Sequence, residues 1–561
     1  MSHVPDRPRG RSWLIGAGLF LTVHGEALLR HPRPYLTGLF WLMVGKRVRG
    51  RNQLSALIGS SSLAYDLWVA RREPWAWPVA GRAAGTSSVV LVIDARFAPE
   101  RLERTLPSLA HAGTAEMVVV GGPSAQQLCG SPLPDLPLRW VGELVDLYQV
   151  LQRSPGTWLI MLEAGDCLAP GALGLLTGAA GDSDSVSYCD DDLIDRRGRR
   201  HSPLFKPHWN SELYRYHDYL AGSAALRLDH KLLANLPPLG DPNWIATLTR
   251  TAVALADNPP RHVPQILFHR GVRPRPNPPA AIRPEPAHWP TVSVIIPTRN
   301  QVALLQTCLE GLERSNYPNL DCIIIDNGSD DPATLACLAR LNPKRYRVLR
   351  QPGPFNYAAL NNAAVAQAQG EFLCFLNNDV SMIEPDWLGL LVDHARRADV
   401  GAVGARLLYP DGTIQHAGVV LGVGGGAGHA HRGQDPAEAG YFHRASLPQF
   451  VSAVTGACLV VQREKFLAVG GFDQDCFPVA FNDVDLCLKL NARGWQALYE
   501  PRAELVHHES KSRGSDHSGE KKVRFAGELA RLKERWHTDR QVDPYHHPAL
   551  SRFSEQFVIG L

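Results

Sequence analysis

Phe372-Leu-Cys-Phe-Leu376, running straight into Asn377-Asn378-Asp379, decides how this chain reads. Five apolar residues bounded by polar ones predict a short buried strand. Outward from it, residues 292–297 predict another strand, 302–314 a helix, 322–326 a strand ending on Asp326, and 356–369 an Ala-rich helix. Strands alternating with helices predict an α/β domain with a largely parallel sheet. Ligands of such sheets sit at the carboxyl ends of strands, where Asp326 and Asp379 both fall.

Residues 272–290 are Pro-rich and predict an extended linker. Before it the same pattern returns in weakened form, with strands at 89–94, 117–120 and 158–162 and a helix at 100–109. A repeat of this size means two copies of one domain. Aligning the copies puts Gly121 at the position of Asp326, Gly165 at that of Asp379 and Trp244 at that of Asp483. All three acids are absent from the first copy, which is expected to be inactive. The expected domains are a helical region 1–85, a degenerate copy 86–271, the linker, a catalytic copy 291–547 with a C-terminal helix, and a tail 548–561.

At 561 residues the chain exceeds a single core. A formal charge of +3 does not point to nucleic acid as a partner. Ten cysteines without CxxC pairs predict reduced, buried thiols and a cytoplasmic setting. No run reaches the ~20 apolar residues that span a bilayer, and no small-residue cleavage site follows the apolar stretch near Met1. Residues 13–23 and 35–44, flanked by basic residues, leave two readings of the N-terminal region. One is a pair of core helices packed on the next domain. The other is a basic, Trp-rich surface resting peripherally on the inner face of the membrane.

The polar residues suit one chemistry. Transfer of a sugar from a nucleotide diphosphate leaves an anionic diphosphate, which a divalent cation, Mg²⁺ or Mn²⁺, can neutralise. Mg²⁺ needs few protein ligands, so one Asp and one distant His suffice. Asp379 is the expected carboxylate, with Asn377 turned to the sugar or ribose; the bland reading is an Asn-Asp turn. Asp326 would accept hydrogen bonds from base or ribose, since Asp330 and Asp331 supply the helix cap. In Phe481-Asn-Asp-Val-Asp-Leu486, residues two apart face different sides of a helix. Asp483 is the expected general base and Asp485 a structural residue; the bland reading makes Asn482 and Asp483 a helix start. His507 and His508 on a short strand 505–508 face opposite ways, so one could reach the cation. Ser510, Lys511, Ser512 and Arg513 form a cationic loop fit for phosphates. Residues 422–428 lack the lysine of a P-loop and predict a flexible lid or acceptor loop.

Taken together, Val292-Ser-Val-Ile-Ile-Pro-Thr-Arg-Asn300, Ile324-Ile-Asp-Asn-Gly-Ser-Asp330, Phe375-Leu-Asn-Asn-Asp379, Thr455-Gly-Ala-Cys458, Gly470-Gly-Phe-Asp473, Phe481-Asn-Asp-Val-Asp-Leu-Cys-Leu488 and His507-His-Glu-Ser-Lys-Ser-Arg-Gly514 resemble family 2 glycosyltransferases of the GT-A fold. The resemblance is to the bacterial surface-polysaccharide type and covers nearly all of 291–547. It implies tandem GT-A domains with a mixed, mostly parallel sheet flanked by helices. It also implies donor binding by Pro297, Thr298, Arg299, Asp326, Asn377 and Asn378, a metal at Asp379 and His507, and base catalysis with inversion by Asp483. The donor would be a nucleotide sugar and the acceptor a glycan or lipid-linked oligosaccharide. Asn377 departs from the family's frequent Asp and puts metal dependence in question. The first copy resembles the family through Tyr188-Cys-Asp-Asp-Asp-Leu-Ile-Asp195 and Phe205-Lys-Pro-His-Trp-Asn210. A sugar nucleotidyltransferase and a non-catalytic glycan- or nucleotide-binding scaffold are the rival readings.

Overall fold

Val292, Val294 and Ile296 of the strand Val292–Thr298 join one apolar cluster and Ile295 joins another, one on each face of the sheet. The strand is buried along its whole length, as a parallel strand covered on both faces must be. The computed structural model describes residues 9–76, 88–121, 136–178, 180–181, 183–279, 288–508 and 519–561.

Two sheets carry the chain. In the second, the strands run in the order Tyr346–Arg350, Leu320–Asp326, Val292–Thr298, Phe372–Leu376, Cys458–Gln462, Val400–Leu408, Gln496–His507 and Val380–Met382. The first four are mutually parallel, and Cys458–Gln462 then pairs antiparallel to Phe372–Leu376. The first sheet repeats this order strand for strand: Leu138–Val141, Glu116–Val120, Val89–Asp94, Trp158–Glu163, Ala224–Arg227, Val186–Ile194, Arg261–Arg270 and Cys167–Leu168. The protein is therefore a tandem of two α/β domains of one topology. The ladders give the same equivalences as the sequences. Val89 pairs with Trp158 as Val292 pairs with Phe372, which brings Gly165 to the place of Asp379. Val120 pairs with Asp94 as Ile325 pairs with Pro297, which brings Gly121 to that of Asp326.

Three elements differ from expectation. The helix expected over 356–369 is Tyr357–Val365, capped by the Asn356 side chain, which accepts from Ala359 N–H. The short strand expected at 505–508 is the end of a long one, Gln496–His507, and His508 lies beyond it. The described part of the N-terminal region holds four helices, not two: Arg9–Arg30, Pro32–Met43, Arg47–Gly59 and Ala64–Ala76.

The copies pack directly. Asn210 of the first donates to the Phe450 carbonyl at 2.9 Å and accepts from the Phe450 N–H at 3.1 Å. Leu447 sits in an apolar cluster of the first copy, and Arg397 pairs with Glu212 at 2.5 Å. Three consecutive buried aspartates of the first copy gather the outlying segments. Asp190 meets His547 of the C-terminal segment, Asp191 pairs with Arg273 from the Pro-rich stretch, and Asp192 accepts from the Tyr65 hydroxyl of the helical region. Residues 280–287 of that stretch and the cationic loop at 510–513 lie outside the described residues. The glycine-rich stretch is not a free lid. Its flanking strands Val419–Leu421 and Ala427–His429 pair antiparallel, and Asp543 and Glu555 accept from Leu421 and His429 N–H. Nine described cysteines are free and eight of them are buried.

Candidate active site

The strand carrying Pro297 and Thr298 delivers both, buried, to the carboxyl edge of the sheet, with Thr298 beside Asp326 in the ladder. Asp326 is buried. One oxygen accepts from the Ser329 N–H at 2.8 Å, and the other lies 3.4 Å from Arg350 Nη1. Part of its duty is therefore the turn. Asp331 caps the following helix by accepting from Thr334 N–H, as expected. Arg299 is exposed at the lip. Asn300 and Gln301 follow it at φ 55° and 59°. The Asn300 side chain accepts from the Asp330 and Asp331 N–H groups, a brace with no local signature in the sequence.

Asn378 joins this end to the next by donating to Thr298 Oγ1 at 2.9 Å. Asp379 is buried, with Oδ1 3.1 Å from His507 Nε2. His508 instead faces Ser381 Oγ at 3.2 Å, so His507 is the imidazole directed at Asp379. Asn377 does not point away to a sugar: its Nδ2 lies 3.2 Å from His507 Nε2. His507 Nδ1 lies 2.7 Å from Gln415 Oε1, so in the neutral ring with its proton on Nδ1 the Nε2 lone pair stands opposite a carboxylate oxygen. A divalent cation would be held by that lone pair and the carboxylate oxygen, 3.1 Å apart. That separation matches an octahedral edge for bonds of about 2.1 Å. The residues fit Mg²⁺ or Mn²⁺.

Asp483 opens the helix Asn482–Ala492. Phe481, before it, holds φ 60°, a left-handed conformation costly for a bulky side chain. This sharp entry carries the Asp483 carboxylate to the Thr455-Gly456 turn, where Oδ2 accepts from Gly456 N–H at 2.8 Å. Oδ1 accepts from Val484 N–H, so the helix-start reading accounts for one oxygen. Burial pushes the Asp483 carboxyl up, against those two hydrogen bonds. The next residue along, Ala457, accepts from the Asn377 N–H, so base and cation ends share one ledge.

Asp485, fully buried, accepts from Arg535 and Trp536 of the helix Gly519–Trp536 at 2.9 Å each. Asp485→Ala should lower stability by about 2–3 kcal/mol in denaturant titration, through the stranded Arg535 and Trp536 donors.

In the first copy, Trp244 is fully buried and its indole N–H donates to Asp94 Oδ2 at 2.8 Å. The indole covers the strand end equivalent to Pro297. A second His/Asp cluster joins Asp190, His262 and His547. His547 Nδ1 accepts from Ala549 N–H at 2.9 Å, so its neutral ring carries the proton on Nε2, facing Asp190 Oδ2. His262 Nε2 lies 2.8 Å from the other oxygen, Asp190 Oδ1.

Residues 293–422 match the profile of Glycosyl transferase family 2. The N-acetylglucosaminyl-diphospho-decaprenol L-rhamnosyltransferase of Mycobacterium tuberculosis is 30% identical over 231 residues, 38% of this chain and 74% of that protein. The chain belongs to glycosyltransferase family 2. A further relative in the comparison is the O-antigen biosynthesis protein RfbC of Myxococcus xanthus, 34% identical over 64% of this chain and 31% of its own length. An uncharacterized Sinorhizobium fredii protein is 38% identical over 73% of this chain and 50% of its own. The chain thus spans half or less of those two relatives. The family assignment accords with the motifs between Val292 and Gly514.

Proposed function

We propose that the second copy transfers a sugar, a hexose or deoxyhexose, from a nucleotide diphosphate donor to a glycan or lipid-linked acceptor in surface-polysaccharide synthesis, with inversion. The observation that carries this reading is the continuous contact from Thr298 through Asn378, Asp379 and His507 to the ledge beneath Asp483. Thr298, Asp326 and the exposed Arg299 hold the nucleotide. A divalent cation at Asp379 and His507 would neutralise the leaving diphosphate. Asp483 takes the proton of the acceptor hydroxyl as that oxygen attacks the anomeric carbon from the side opposite the diphosphate. The first copy, with glycines for two acids and Trp244 over its strand ends, positions the acceptor or supports the active half. A panel of nucleotide sugars, assayed for released nucleoside diphosphate with and without Mg²⁺ or Mn²⁺, tests the reading. Metal-dependent release from one donor is expected, and no release from any donor would contradict it.

The helical region supports contact with an anionic membrane surface. From residue 27 to 65 it has no Asp or Glu, but it carries Arg30, Arg33, Lys46, Arg47, Arg49 and Arg51. Leu29 is 84% exposed, Met43 78% and Phe40 48%, beside a Trp41 ring covered by Arg49 and Lys46. Apolar side chains among cations suit a lipid headgroup layer. No helix of the described residues is long and apolar enough to cross a membrane. The protein should float with phosphatidylcholine–phosphatidylglycerol vesicles and not with phosphatidylcholine alone. Replacing Lys46, Arg47 and Arg49 by Gln should weaken binding by about 10²-fold, at roughly 1 kcal/mol per cation. Equal flotation of that variant would remove the idea.

A further inference from the structure

We propose that Gln415 is a positioning residue for the cation end of the site, holding His507 in the one neutral form able to act as a ligand through Nε2. The inference rests on the reading of Asp379 and His507 as the ligand pair.

Gln415 lies in the short strand Ile414–His416, antiparallel to Val400–Leu408. It is 2% exposed, so its amide is satisfied from within the protein or at a cost. Oε1 lies 2.7 Å from His507 Nδ1, and Nε2 lies 3.5 Å from the His507 carbonyl oxygen. Both ends of the amide thus engage one residue, ring and backbone, and this fixes which end is oxygen. An amide oxygen only accepts, so Nδ1 carries a hydrogen, and in the neutral ring Nε2 keeps its lone pair. Asn377 Nδ2, a donor, lies 3.2 Å from that lone pair and agrees with the assignment.

The other neutral tautomer would carry its proton on Nε2, 3.1 Å from Asp379 Oδ1. It would then donate directly to the carboxylate and occupy the space a cation needs. Gln415 decides between a closed His–Asp hydrogen bond and an open ligand pair. Outer partners of this kind orient ligating histidines in metal sites generally. The neighbouring His416 faces the other way, with Nε2 accepting from Thr455 N–H at 3.4 Å, so the strand braces the Asp483 ledge as well.

Mn²⁺ binding to the full chain, followed by EPR titration of free Mn²⁺ without any donor, tests this. Gln415→Leu should raise the Kd for Mn²⁺ by about 10–100-fold. Gln415→Glu keeps an acceptor facing Nδ1 and should bind at least as well as the wild type to within a few-fold. Gln415→Asn, with the amide withdrawn by one methylene, should lose affinity like Leu and serves if the Leu variant does not fold. Asp379→Asn should abolish binding. Wild-type affinity in Gln415→Leu or Gln415→Asn, alongside loss in Asp379→Asn, would overturn the role of Gln415 and leave the ligand pair standing. Absence of Mn²⁺ binding by the wild type itself would overturn both.

Discussion

Asp483→Asn should lower kcat/KM for transfer by about 10²–10⁴-fold, the usual contribution of a positioned general base. Its melting curve should stay within about 1 kcal/mol of the wild type, because an Asn oxygen can still accept from Gly456 or Val484. The sign of the pH effect supports the same expectation. Burial raises the carboxyl's pKa in the fold, so the fold favours the protonated form. Any stabilisation this gives is present at low pH and lost as pH rises through the folded pKa, so an uncharged amide costs little at neutrality. Activity runs the other way. The base must be ionised, so the acid limb of the rate profile should lie above the ordinary aspartate value and vanish from the residual rate of Asp483→Asn. A destabilised helix with an undiminished rate is what a plain helix-start aspartate would give.

Asp379→Ala should cut transfer by on the order of 10³-fold, the several kcal/mol that charge neutralisation supplies at a leaving diphosphate. The remaining rate should no longer respond to Mn²⁺ or to a chelator, since His507 alone makes a poor seat. Steady-state rates across a Mn²⁺ titration give both numbers. A variant that keeps a metal-dependent rate at the wild-type level would assign the cation to other residues. The departure at Asn377 bears on this. The sequence suggests a weakened metal site there, whereas the side chain instead lies against His507 Nε2, leaving Asp379 as the site's carboxylate partner.

The central parallel strands were legible within a residue or two because each is a continuous apolar run buried on both faces, and the run length sets the strand. The strand Gln496–His507 was not, because Glu500, Arg502 and Glu504 interrupt its apolar pattern. Those charges are matched inside the fold: Glu500 by Arg502 and His394, Glu504 by Arg406. Pairing of that sort leaves no trace in a window of neighbours. The same limit hid Gln415, which meets His507 across 92 positions, and the Gly456 N–H that seats Asp483. Acidic residues at strand ends were readable from position alone. Which histidine turned inward was not, because 507 and 508 differ only in the side of the strand end they leave from.

Anomalous scattering from crystals of the full chain grown with Mn²⁺ and a nucleoside diphosphate is the most direct test. One manganese peak is expected within bonding distance of both Asp379 and His507, with the diphosphate against it and Asp326 beside the nucleoside. Manganese at the Asp190–His262–His547 junction, or a nucleotide seated over Trp244 in the first copy, would contradict it.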